Sequence, residues 1–212
     1  MKATTTMQPD NEHGFKQCGA DVTVHAPIVL VRRENMVVHS RVVLDALSFI
    51  NAGKGLHLGN CIHIATMVSI IGGGHCVVHD FANMCAGVRI ITGTDEITGT
   101  GLVGPTVPES LRSFYRSFVI LKKHAFLGTN VVVHPGVTIG EGAVVASGSL
   151  VTRDLEPWGI YMGQPARRVK DRPGARMLEL EQQAYAQYAL TPADFTAVEA
   201  TIADERSAGL LR

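Results

Sequence analysis

The residues from Leu121 to Thr152 read LKKHAF LGTNVV VHPGVT IGEGAV VASGSL VT, and every sixth one is aliphatic: Leu121, Leu127, Val133, Ile139, Val145 and Val151. A half-buried strand alternates with period two and an amphipathic helix repeats every 3.6 residues. A period of six fits neither. It requires a chain that turns a corner every six residues and sends one side chain per side into a narrow core. The residue after the inward position is small or polar in most repeats (Gly128, Gly140, Ala146, Thr152), as a corner demands. Such a chain buries its apolar side chains only between stacked coils.

The register extends backwards. Val78, Met84 and Ile90 keep the step of six, as do Leu58, Ile64 and Ile70, then Val38, Leu44 and Ile50, then Cys18, Val24 and Leu30. Successive triplets are separated by eight residues, and the extra pair falls near Glu34-Asn35, Gly53-Lys54 and Gly73-Gly74. Every inward position is apolar or Cys. The pattern predicts six coils of three short parallel strands, with one wider corner.

One interruption is large. From Ile90 to Leu121 the chain takes 31 residues where the register needs six. Residues 92–118 therefore form a protruding loop, and a long loop in a strict scaffold is commonly functional. Its Leu, Val, Phe and Tyr residues predict an ordered loop. Residues 1–14 are polar and unpatterned. The expected division is a β-helix over 15–172 and a helical tail over 173–212. Helical composition covers 174–189, with Met177, Leu178, Leu180, Tyr185 and Tyr188 available for an apolar face. Thr191-Pro192 reads as the start of a second helix running to Ser207.

Formal net charge is zero, so nothing points to nucleic acid or an anionic membrane surface. No apolar run reaches the roughly 18 residues that span a bilayer, and MKATTTMQPDNEHGF lacks a signal-peptide core. Cys18, Cys61, Cys76 and Cys85 form no CxxC pair. Reduced thiols in a cytoplasmic protein are the expectation.

The stretch HPGVTIGEGAVVASGSLVTRDLEPWGIYMGQPARRV, ending in GIYMGQPARRVKDR, resembles the closing motif of the hexapeptide-repeat acyltransferases. The resemblance covers roughly 18–172, and the chain looks like the galactoside/maltose acetyltransferase-like group, particularly the enzymes of O-antigen and capsule sugar pathways. It implies an all-β fold, a left-handed parallel β-helix, assembled as a homotrimer. It also implies acetyl-CoA as co-substrate, a sugar or nucleotide-linked sugar as acceptor, and a place in surface polysaccharide biosynthesis. A thin prism with a small core gives independent reason to oligomerise, and the clefts between protomers would suit ligands.

Acyl transfer to a hydroxyl needs a base and a stabilised oxyanion; a neutral amine attacks a thioester with less help. The galactoside acetyltransferase pattern implies a loop His just after the coil matching Ile90. Here that segment reads Ile90-Ile91-Thr92-Gly93-Thr94-Asp95-Glu96, without a His, and Asp95 falls at its place. Candidate catalytic residues are therefore Asp95, His124 at the first corner after the loop, and His75 in the glycine corner below it. Asp95 and Glu96 are candidates for substrate contact. His25, His39, His79 and His134 each follow an inward aliphatic and read as corner or face residues. The resemblance places the CoA arm along Gly128, Ala146, Ser147 and Gly163, Gln164, Pro165 and Ala166, with Arg167, Arg168 and Lys170 toward its phosphates. Trp158 reads as packing for the end of the prism.

Two other readings stand beside the acetyltransferase: a non-catalytic assembly or sugar-binding subunit, and a γ-carbonic-anhydrase-like zinc site. His75 and His79 invite the zinc reading, but no third His has the spacing, so no metal is expected.

Overall fold

The computed structural model describes residues 13–212, so nearly all of the polar segment 1–14 lies outside the described residues. The chain winds into a triangular prism with three parallel faces. The first face stacks Gln17–Cys18, Met36–Val38, Gly55–Leu58, His75–Val78, Phe118–Leu121 and Val137–Ile139. The second runs from Val22–Val24 through Val144–Val145 to Gly159–Gly163, and the third from Val29–Val31 to Leu150–Val151. The inward residues are rung partners. Val38, Leu58, Val78, Leu121 and Ile139 pair in sequence on the first face, as do Leu30, Ile50, Ile70, Ile90, Val133 and Val151 on the third. From Val38 onward these side chains are essentially excluded from solvent. The architecture is a β-helix of six full coils, and Tyr161 adds a seventh rung to the second face.

Three corners join the faces. The first corner, between the first and second faces, turns through left-handed residues in every coil: Asp21, Arg41, Cys61, Phe81, His124 and Trp158, with φ between 53° and 62°. Gly142 occupies this corner in the coil between His124 and Trp158, at φ 66°, and a side chain there would overlap the Trp158 ring. Trp158 thus closes the end of the prism. The second corner carries Gly128 and Ala146, whose amides donate to Val145 and Tyr161 of the next coil. The loop leaves from the third corner. Its root is an antiparallel ladder, Gly93–Asp95 against Phe114–Arg116, so it is an ordered hairpin stalk.

The closing motif is also a hairpin. Gly159–Gly163 turns back antiparallel onto Ala166–Asp171. Beyond it, helix α1 (Ala175–Tyr188) and helix α2 (Thr196–Ser207) lie against the first face and first corner. Two expectations need correction. Helix α2 begins at Thr196, not Pro192, because Thr191 and Ala193 are engaged elsewhere: the Thr191 carbonyl accepts from Asn60 Nδ2, and the Ala193 amide donates to Asp80. Helix α1 turns inward Glu181 and Tyr185, leaving Leu178 and Leu180 exposed. The surface beneath it offers Lys123, His124 and Asp80, which a polar stripe satisfies and a leucine stripe could not.

Candidate active site

The hairpin root and the third corner enclose a recess of about 530 Å³. One wall is the loop, with Thr94, Asp95, Glu96 and Tyr115; the opposite wall is Ile91, His134 and Pro135. His134 is placed there by the register. Ile90 pairs with Val133, so His134 follows one rung above Ile91 on the corner from which the loop departs. The counting that located the missing loop His also locates this one. Aligning the residue after each inward position of the third face would have found it.

Asp95 and Glu96 both reach this recess, and both are paired. Asp95 accepts from Arg112 Nε on one oxygen and from the Gly104 amide on the other, 3.1 Å away. The Arg112 guanidinium holds its carboxyl below the usual range. Glu96 accepts from Arg212 and from the Thr98 amide, with the same consequence. A carboxylate so held is a poor base and a good hydrogen-bond acceptor.

His124 and His75 sit at the corners the register gives them, but neither lines this recess. His124 belongs to the first corner. Its Nε2 is 2.5 Å from Glu181 Oε2, its ring stacks on Phe81, and it is buried beneath α1. Burial alone would raise the Glu181 carboxyl, but hydrogen bonds from Lys123 and His124 outweigh it and hold it low. His75 sits beneath α2 with Nε2 3.1 Å from Glu205, and its Nδ1 is buried without a hydrogen-bond partner among the described residues. His79 is taken up by Glu199 at 2.6 Å. The His75–His79 pair that the zinc reading needs is thus committed to two separate carboxylates.

The CoA candidates gather at the second corner. Gln164 Nε2 donates to the Gly148 carbonyl at 2.7 Å and the Gly163 amide to Ser149 Oγ, which sets the exposed Gly163-Gln164-Pro165 turn beside Ala146 and Ser147. Ala166 is buried at the base of the turn. Gly128 is small for a different reason than ligand approach: a side chain there would come within 2.7 Å of the Ser147 amide on the next coil. Arg167 and Lys170 are exposed on the outer hairpin strand. Arg168, also exposed, is engaged with Asp171 at 2.8 Å and with the Pro157 carbonyl and Tyr161 hydroxyl.

Residues 118–153 match the family described as bacterial transferase hexapeptide (six repeats). Over 171 residues the chain is 30% identical to a dTDP-4-amino-4,6-dideoxy-D-glucose acyltransferase of Escherichia coli, covering 80% of this chain and 88% of that protein. The chain belongs to the hexapeptide-repeat acyltransferases. This acyltransferase is also similar to AntD, an N-acyltransferase from Bacillus cereus. A single-residue variant of AntD, in complex with dTDP-4-amino-4,6-dideoxyglucose and coenzyme A, superposes with a TM-score of 0.77 at 30% identity, covering 82% of this chain and 93% of that one. AntD in complex with dTDP and 3-hydroxybutyryl-CoA gives 0.76 at 29% identity over 84% and 94%. The galactoside O-acetyltransferase of Escherichia coli K12 is 24% identical to the acyltransferase over 126 residues, covering 58% of this chain and 57% of that protein.

Proposed function

We propose that the protein transfers an acetyl group from acetyl-CoA to the amino group of a dTDP-linked amino-dideoxy sugar. The observation that carries this reading is the likeness, over most of both chains, to an enzyme named for that acceptor. The site supports it. An amine attacks a thioester without prior deprotonation and needs only an acceptor for the proton it sheds, a place that His134 in the recess can fill. Asp95, occupied but anionic, accepts a hydrogen bond from the sugar nitrogen. The amine lone pair adds to the thioester carbonyl, the C–S bond breaks as the tetrahedral centre collapses, and His134 takes the proton the nitrogen sheds. The thiolate leaves as CoA.

Donor and acceptor groups occupy different corners of one protomer. Ala146, Ser147 and the Gly163–Pro165 turn are on the second corner, and the recess is on the third; one side of six residues, at most about 20 Å, separates them. Transfer needs the reacting atoms about 3–3.5 Å apart. A trimer in which the second corner of one protomer faces the third corner of the next brings them together. Exposed Ile97, Leu102, Val103 and Leu111 on the loop suit such an interface. The reading includes a cytoplasmic location, where acyl-CoA and nucleotide sugars are available, and a role in surface polysaccharide assembly.

The test is thiol release from acetyl-CoA with the purified protein and a panel of amino- and hydroxyl-bearing dTDP-sugars. Turnover with the amino sugars supports the reading. Turnover confined to hydroxyl acceptors assigns O-acetylation instead.

A further inference from the structure

The segment after α2 returns to the acceptor recess, and its path is held at each step. Helix α2 docks through two carboxylate clamps. Glu199 receives His79 and Lys122, at 2.6 Å each, and Glu205 receives Lys54 at 2.8 Å and His75 at 3.1 Å. Ile202 between the clamps, with Phe195 before them and Leu211 after them, is buried against Val77, Phe118 and Ile120 of the first face. The Arg212 amide then donates to the Arg116 carbonyl at 3.0 Å, and Ser117 Oγ donates to the Arg212 carbonyl. Contacts to its own backbone atoms therefore fix this residue at the loop root, independently of its side chain.

Its side chain points into the recess mouth. The Arg212 guanidinium carbon lies 5.2 Å from the Tyr115 ring centroid, and one nitrogen pairs with Glu96. Two-thirds of the side chain stays exposed (66%), which leaves most of its five N–H donors open. Arg112, the partner of Asp95, is engaged with that carboxylate and its side chain is only 19% exposed. Arg212 is thus the cation presented to a ligand in the recess.

We infer that Arg212 is a substrate-binding residue, delivered by the α2 strap to hold the diphosphate of the nucleotide-linked acceptor. This rests on the nucleotide-sugar reading above. A guanidinium fork matches phosphate oxygens in shape as well as charge, Glu96 aims it, and Tyr115 supports its apolar side. The tail is then part of the acceptor site and not only a cover for the first face.

Calorimetric titration of the full chain with dTDP tests this without requiring turnover. Arg212→Gln keeps every backbone contact of the strap, and circular dichroism confirms that it folds. The expected result is a dTDP Kd raised by about tenfold or more, with Arg212→Lys intermediate. A Glu199→Gln/Glu205→Gln double variant, with Arg212 intact but the strap loosened, shows the same loss. In turnover with a dTDP-amino sugar, Arg212→Gln raises the acceptor KM while kcat and the acetyl-CoA KM stay within about twofold. Wild-type dTDP affinity in Arg212→Gln overturns the inference, as does a wild-type chain that binds no dTDP. A wild-type chain that binds dTDP through Arg212 but acylates no amino sugar overturns the proposed activity and leaves this inference standing.

Discussion

His134 stands one rung above Ile91, on the corner where the loop leaves the prism, and both line the recess that holds Asp95. The imidazole is thereby set opposite the loop acids although it is 39 residues from Asp95 in the chain. A proton acceptor supplied by a rigid coil is better fixed than one supplied by the loop.

His134→Asn keeps the corner and removes the proposed proton acceptor. The expected effect is a fall in kcat of about a hundredfold, within the range for general base catalysis, with the acetyl-CoA KM unchanged. Steady-state kinetics with both substrates varied checks this.

Asp95→Asn keeps the shape of the carboxylate but loses its charge, weakening the Arg112 pair and the proposed contact to the acceptor nitrogen. The acceptor KM rises and the acetyl-CoA KM does not. A KM for the acceptor equal to wild type assigns Asp95 to loop structure alone.

His124→Ala leaves Glu181 buried with Lys123 as its remaining partner. Breaking a buried charged contact destabilises by about 2–3 kcal/mol, read as a lower midpoint in urea unfolding. Because His124 lies on the first corner, away from the recess, kcat at a temperature where the variant is folded stays near wild type.

Acid weakens the fold. Burial lowers His57 to about 4, helped by neighbouring His75, Lys16 and His39, and burial also lowers His39, His75 and His79. Each folded value lies below that of a free imidazole, so the folded chain binds fewer protons than the unfolded chain. The stabilisation is complete above about pH 6.5 and is lost as pH falls toward about 4. Glu181, Glu199 and Glu205, also held low, add a further loss below their ordinary range. Tm measured by calorimetry falls between pH 7.5 and 5, and hydrogen exchange in α2 rises first.

The coil register was legible because a narrow prism accepts one inward side chain per side, and Leu58, Ile64 and Ile70 state it without ambiguity. The loop was legible from the gap between Ile90 and Leu121, and the helical tail from composition. What α1 buries was legible only at Tyr185. Glu181 faces inward beside it because Asp80, Lys123 and His124, far earlier in the chain, form the surface they meet. Periodicity along a helix cannot report polar partners on another element. The same limit hid the partners of His124 and His75, which sit at the corners the register gives them but meet Glu181 and Glu205 of the tail, and hid Arg212, which reaches Glu96 only through the packing of α2.

The most direct measurement is mass spectrometry of the sugar product after incubating the purified protein with acetyl-CoA and dTDP-4-amino-4,6-dideoxyglucose. The predicted result is a nucleotide sugar heavier by one acetyl group, carried as an amide that survives mild alkali, with one CoA released per product. An unmodified amino sugar, or an alkali-labile ester on a hydroxyl, would contradict it.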